Sequence, residues 1–150
     1  MTGKLPTARV EYGGNELRKT VVFANGDSEL LLIRSVGPDQ FRLEESSLLS
    51  LASDVMEVRF HDVIRATTQA DGSLRFHEVV SKSDLQTSIW LLSRQIVESA
   101  DLRSVLDDVT DLGGASEQAF GGYLLVHMPP AGAEAINERI RVLLVHNQTR

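Results

Sequence analysis

Asp62-Val63-Ile64-Arg65-Ala66-Thr67-Thr68-Gln69-Ala70-Asp71-Gly72-Ser73-Leu74-Arg75-Phe76-His77-Glu78-Val79-Val80 reads as a β-hairpin turning on Asp71-Gly72. Burial selects its register. A two-residue loop would pair Val63 with Val80 and mix polar and apolar side chains on both faces. A three-residue loop, Ala70-Asp71-Gly72 with Gly72 left-handed, pairs Val63 with Val79 instead. Ile64, Ala66, Leu74, Phe76 and Val80 then share one face, and Arg65, Thr67, Arg75 and His77 share the other. A one-residue slip would exchange core for solvent along a whole strand, so the second register is expected. It leaves Glu78 on the apolar side, where the residue either lies at the edge of the core or contradicts the register.

Upstream, Thr20-Val21-Val22-Phe23-Ala24 is rich in β-branched residues and stops at Asn25-Gly26-Asp27, a turn signal. Glu29–Val36 resumes as a strand, breaks at Gly37-Pro38-Asp39, and returns at Gln40-Phe41-Arg42-Leu43. These segments predict a three-stranded antiparallel meander. Leu48, Leu51, Ala52 and Val55 have helical spacing within 46–55, with Ser47 as N-cap. The first residues, with Pro6 and Gly13-Gly14, lack periodicity and read as a loose arm over 1–17.

Downstream, Thr87-Ser88-Ile89-Trp90-Leu91-Leu92 predicts a strand buried on both faces, because its alternation is weak. From Asp101 to Leu112 the pattern becomes helical. Leu102, Val105, Leu106, Val109 and Leu112 form one stripe, with Ser99 or Asp101 as cap and Gly113-Gly114 as the stop. Tyr123–Met128 is a strand ended by Pro129-Pro130. A last helix over about 131–144 follows, with Ala133, Ile136, Ile140, Leu143 and Leu144 in phase.

About five strands with tight turns, then strand, helix, strand, helix, is an α+β pattern: a small antiparallel barrel-like sheet followed by a β-α-β-α unit. Residues 18–150 form either one domain or two subdomains, 18–84 and 85–150.

The run Ser35–Leu43, then Phe60-His61-Asp62-Val63-Ile64-Arg65-Ala66, then Asp71–Val80 with Ser83, resembles the bacterial domain of unknown function 4265 family. Leu112-Gly113-Gly114 and Leu124-Leu125-Val126-His127-Met128-Pro129-Pro130 are similar to that family's C-terminal half. The resemblance covers roughly residues 18–144. It departs at His61, where the family usually has glycine. It implies a small bacterial cytoplasmic protein and supplies no catalytic residues.

Composition narrows the function classes. Of 150 residues, 42% are hydrophobic and 24% charged, the profile of a globular chain. A net charge of −6 and an aromatic content of 5% both argue against nucleic acid as a partner. The absence of cysteine excludes disulfides, zinc–thiolate sites and a thiol nucleophile. No apolar run is long enough to serve as a signal peptide or to span a membrane, so the expected compartment is the cytoplasm. There is no phosphate-binding loop, Gly-x-Ser-x-Gly elbow or His-Glu-x-x-His, and neither a cofactor nor a metal is expected.

Three groups of residues remain as candidates. Arg65, Arg75 and His77 gather on the polar face of the hairpin in an otherwise acidic chain, a place for an anionic protein partner. Asp107, Asp108 and Asp111 crowd the C-terminal half of a helix, where carboxylates oppose the macrodipole, and form a second candidate surface. Trp90 and His127 would line a pocket between the sheet and the helical unit. The plain alternatives are a solvated acidic face, a core tryptophan and a half-buried, hydrogen-bonded histidine. His61 beside Asp62 and His77 beside Glu78 would not chelate one ion, since neighbours on a strand point to opposite faces. The leading expectation is a non-catalytic interaction protein, immunity-like or accessory; the alternative is an enzyme or small-molecule sensor.

Overall fold

The computed structural model describes residues 16–51, 58–119 and 122–148. The chain has an α+β fold whose elements form two compact units, dividing between Ser83 and Asp84.

In the first unit β1 (Glu16–Val22), β2 (Ser28–Gly37), β3 (Gln40–Leu43), β4 (Val63–Thr68) and β5 (Leu74–Ser81) follow one another around a closed barrel. Neighbours run antiparallel except at the seam, where β1 lies parallel to β5 through Val21–Leu74 and Val22–Arg75. An odd number of strands in a closed meander makes one parallel seam unavoidable. Inward positions supply the core: Val21, Leu31, Ile33, Leu43, Ile64, Ala66 and Leu74 are buried, with Phe41, Phe76 and Val79 packed against them. Glu16 and Leu17, expected in the loose arm, already pair with Arg34 and Ile33; the first fifteen residues lie outside the described ones. Of the helix expected over 46–55, the described part is α1 (Leu48–Leu51), and residues 52–55 fall outside. Ser47 caps it, its Oγ accepting from Ser50 N–H at 3.1 Å.

The hairpin turns as expected. Thr68 pairs with Leu74, Gln69 N–H donates to the Ser73 carbonyl at 2.8 Å, and Gly72 has φ +89°. Further along, the register shifts twice. Arg65 pairs with Glu78, Ile64 with Val79, and Val63 with Ser81 rather than Val79. A β-bulge therefore points His77 and Glu78 outward in succession, which removes Glu78 from the core. The same shift turns Val79 inward and leaves Val80 exposed, correcting the expected faces.

The second unit contains β6 (Gln86–Leu91), α2 (Arg94–Val97), α3 (Ala100–Asp111), β7 (Ala115–Ala119), β8 (Tyr123–Met128) and α4 (Pro130–Gln148). Its antiparallel sheet has the order β6-β8-β7. The sequence reading missed β7 and α2, so the β-α-β-α unit is in fact β-α-α-β-β-α. Ser99 caps α3 through its Oγ and Leu102 N–H, at 3.1 Å. Leu102, Val105 and Val109 of α3 join Leu124, Val126, Met128, Ile136 and Ile140 in one core, with Leu106 and Trp90 packed against it.

Candidate functional site

The alternation of β8 sorts the second sheet into two faces. Leu124, Val126 and Met128 enter the core with the helices. Tyr123, Leu125 and His127 therefore point to the other side. Cross-strand pairing places Leu91, Ile89 and Thr87 of β6 beside them, and Ala115 and Glu117 of β7 on the far flank.

One end of that second face carries a buried polar chain. Thr87 Oγ1 lies 2.8 Å from His127 Nδ1, and His127 Nε2 lies 2.6 Å from Glu117 Oε2. His127 is 0% exposed and Glu117 is buried. A hydroxyl, an imidazole and a carboxylate in line can relay a proton, and they also satisfy one another, which buried polar groups require.

The other end is apolar and open. Ile89 is 50% exposed, Leu91 68% and Tyr123 43%. This corrects the expectation that Thr87–Leu92 is buried on both faces. That property belongs to β8, where five consecutive residues from Leu124 to Met128 are buried. The reason is position: β8 is the central strand, while β6 pairs, among the described residues, with β8 alone. Among the described residues, no strand pairs with the outer edge of β6, beside which Ile89 and Leu91 are exposed. The strand itself, Gln86-Thr87-Ser88-Ile89-Trp90-Leu91, has no charge, no proline and no register shift.

The barrel holds its own polar cluster just after β3, in the buried run Glu44-Glu45-Ser46-Ser47. Glu45 accepts from Leu32 N–H and Arg18, each at 2.8 Å. Glu29 accepts from the Ser47 hydroxyl at 2.7 Å and Leu48 N–H at 2.8 Å. Asp62 accepts from Arg59 N–H at 2.8 Å and Ser83 N–H at 2.7 Å. Glu44 accepts from Arg42 Nε at 2.6 Å, with Arg34 Nε at 3.9 Å and His61 Nε2 at 3.8 Å. Burial raises its pKa, but the stabilisation from His61 and Arg42 outweighs burial and holds the carboxyl at about 2 rather than 4.5. At 3.8 Å, His61 acts as a nearby polar and chargeable group, whereas Arg42 donates directly. These carboxylates tie the β3–α1 connection and the β4 entry to the barrel wall. Sequence reasoning missed the cluster because its partners come from distant strands.

A pH dependence follows from Glu44. A carboxyl depressed in the fold adds stability that is complete above the unfolded pKa and lost as pH falls from about 4.5 toward 2. Glu44→Gln should therefore destabilise at pH 6, and its deficit against wild type should narrow by about 2 kcal/mol at pH 3. Urea titrations at the two pH values check this; a constant deficit would show that Glu44 is not held in its charged form.

The candidates read from sequence are dispersed. Arg65 is ion-paired to Glu78 at 2.8 Å, and His77 Nε2 lies 2.6 Å from Thr67 Oγ1. Arg75 is exposed, and no carboxylate pairs with it among the described residues. The basic cluster is thus partly neutralised by Glu78. Asp108 pairs with Arg139 and joins α3 to α4, while Asp107 and Asp111 are exposed. Trp90 and His127 occupy opposite faces of the sheet, so they do not share a pocket; Trp90 Nε1 donates to Ser88 Oγ at 3.0 Å on the helix side. A shallow groove lies between α3 and α4 instead, walled by Val105, Ala135, Val142 and Leu143. Among the described residues no group of three His, Asp or Glu side chains could hold a metal ion. No described helix is long and apolar enough to cross a membrane.

No family model and no curated protein matches the chain. Among solved structures it is similar to a hypothetical protein from Neisseria gonorrhoeae, with 17% identity over 76% of this chain and 77% of that one, at a TM-score of 0.49.

Proposed function

We propose that this chain is a non-catalytic interaction protein of the bacterial cytoplasm, immunity-like or accessory, whose working contact is the addition of a protein strand to β6. The observation that carries the reading is the uncharged β6 edge, unpaired on its outer side among the described residues, with Ile89 and Leu91 exposed beside it. Strand addition draws affinity from main-chain hydrogen bonds and selectivity from alternate side chains, and β6 offers both. The resemblance to the domain of unknown function 4265 family supports the bacterial setting. Capture from native lysate, with a differently tagged copy of the chain added, tests it. Proteins retained by the wild type should be lost with Leu91→Lys, and an unchanged retained set would overturn the reading.

A second reading is favoured by Thr87, His127 and Glu117, whose order matches a nucleophile, its base and an orienting acid. On that reading the chain is a hydrolase, and a serine-type acylating probe should label Thr87 only while His127 is present. Full burial of the imidazole favours the structural role.

A further inference from the structure

We propose that Asn25 is a site of spontaneous deamidation, with water as the co-reactant, and that the acid it becomes loosens the β1–β2 turn.

Two turns of the barrel share one backbone. Phe23-Ala24-Asn25-Gly26-Asp27 links β1 to β2, and Gln69-Ala70-Asp71-Gly72-Ser73 links β4 to β5. In each, the first residue's N–H donates to the carbonyl of the fifth at 2.8 Å, and the glycine N–H donates to the carbonyl of the first, at 2.9 and 3.0 Å. Gly26 and Gly72 are both left-handed, with φ +92° and +89°. The N–H of the fifth residue donates back to Oδ1 of the third, at 3.0 Å in the first turn and 2.9 Å in the second.

The side chains at the third and fifth positions differ. In the β4–β5 turn a carboxylate meets a donor. Ser73 Oγ donates to Asp71 Oδ1 at 2.6 Å, and the bonds from Ser73 hold the Asp71 carboxyl below its ordinary pKa. In the β1–β2 turn the roles are exchanged, and Asn25 Nδ2 donates to Asp27 Oδ2 at 3.0 Å. The first turn needs an amide where the second accepts an acid.

The same geometry prepares that amide for loss. The bond from Asp27 N–H folds the Asn25 side chain back over its own peptide, which brings Cγ toward the Gly26 nitrogen. Residues 24–28 are exposed, and a Cβ built on Gly26 would meet nothing within 4 Å beyond its chain neighbours, so there is room for a ring. Of the four asparagines, Asn25 alone precedes a glycine, which has no Cβ to hinder the attack; glutamate follows Asn15 and Asn137, and glutamine follows Asn147.

Local opening of the loop tip frees Gly26 N–H from the Phe23 carbonyl. The Gly26 nitrogen gives up its proton and bonds to Asn25 Cγ, while the Cγ–Nδ2 bond breaks and ammonia leaves. Water then opens the succinimide. Cleavage at Cγ yields aspartate, and cleavage at the main-chain carbonyl yields isoaspartate, whose backbone runs through the side chain. Either product sets a second carboxylate beside Asp27. Asp71 is spared, because an ionised carboxylate is a poor electrophile.

Timed incubation of the full chain in warm, mildly alkaline buffer, followed by peptide mapping and enzymatic methylation of isoaspartate, tests the site. Conversion at Asn25 with isoaspartate in excess is expected, its rate rising with pH, while Asp71 and the other asparagines stay intact. Retention of the amide at Asn25, or equal conversion at Asn147, would overturn the proposal. The loosening is tested separately. Asn25→Asp should lower the thermal midpoint by about 2–4 °C, and adding Asp27→Ser, which copies the β4–β5 turn, should restore it. Restoration separates repulsion at Asp27 from a general loss of stability. An Asn25→Asp chain as stable as wild type, or one that Asp27→Ser fails to restore, would sink the claimed effect on the turn.

Discussion

Gly114→Ala is expected to destabilise the protein by about 3 kcal/mol or more, toward the upper end of what overpacking costs. A Cβ at this position would lie 2.4 Å from the His127 carbonyl oxygen, 2.7 Å from Met128 Sδ and 3.0 Å from Val109 Cγ1. The sulfur could swing aside, but the carbonyl cannot. It belongs to β8 at the residue paired with Ala115, the first position of β7. Gly114 N–H also donates to the Val109 carbonyl at 2.8 Å, which ties the end of α3 to the start of β7. The glycine is therefore required by close backbone approach, whereas its neighbour Gly113 is required by its φ of +89°. A Cβ at Gly113 meets only a Pro129 side-chain carbon at 3.8 Å, so Gly113→Ala should cost about 1–2 kcal/mol. Denaturant titration of the two variants separates the cases; equal losses would mean that β7 does not start against β8 as described.

The second large effect concerns the buried pair. His127→Leu leaves Glu117 without the imidazole 2.6 Å away and should cost about 3 kcal/mol, because a buried carboxylate loses compensation. Glu117→Gln should cost less, since an amide can still hydrogen-bond the ring. In the double variant His127→Leu with Glu117→Leu much of the loss should return, giving a coupling energy of about 1–3 kcal/mol in a double-mutant cycle. Strict additivity would mean that the contact contributes nothing and the two residues act separately. A pair that behaves this way is part of the fold's interior, which agrees with the non-catalytic reading.

Much of the fold was legible because local chemistry and tertiary need coincide. Asp71-Gly72 dictates its turn wherever it sits, and the stripe of α3 is long enough to signal a helix by itself. The failures share one cause: the deciding partner is far away in sequence. Ala115-Ser116-Glu117-Gln118-Ala119 looks like a loop because its buried residue is a glutamate, whose partner His127 lies on another strand. The hairpin register was right at the turn and wrong beyond it, because a bulge leaves no composition signal. Glu78 was the one residue that protested, and it marks the site of the shift. β6 and β8 have similar composition, yet one is an edge and the other central, and sheet order is invisible in apolar content. The candidate site suffered most. Arg65 and His77 were assigned to solvent without Glu78 and Thr67, which occupy them. Glu44 was passed over because its partners Arg34 and His61 lie on other segments of the barrel unit.

Loop-closure entropy makes the parallel seam an expected late contact in the barrel wall. β1 to β3 and β4 with β5 are joined by short turns, so each can zip from its own ends with little entropy to overcome. Closing the wall is different. Val21 and Leu74 stand about 50 positions apart along the chain, and two ladder pairs are all that join their strands. The chain must commit its meander and its hairpin before the seam can form, so closure comes late and gains little per residue ordered. A barrel that is continuous at equilibrium is thus expected to close through two nonlocal joins, the seam and the β3–β4 pairing of Phe41 with Ile64. During that interval Val21 and Leu74 line an unfinished interior that only the last step makes dry.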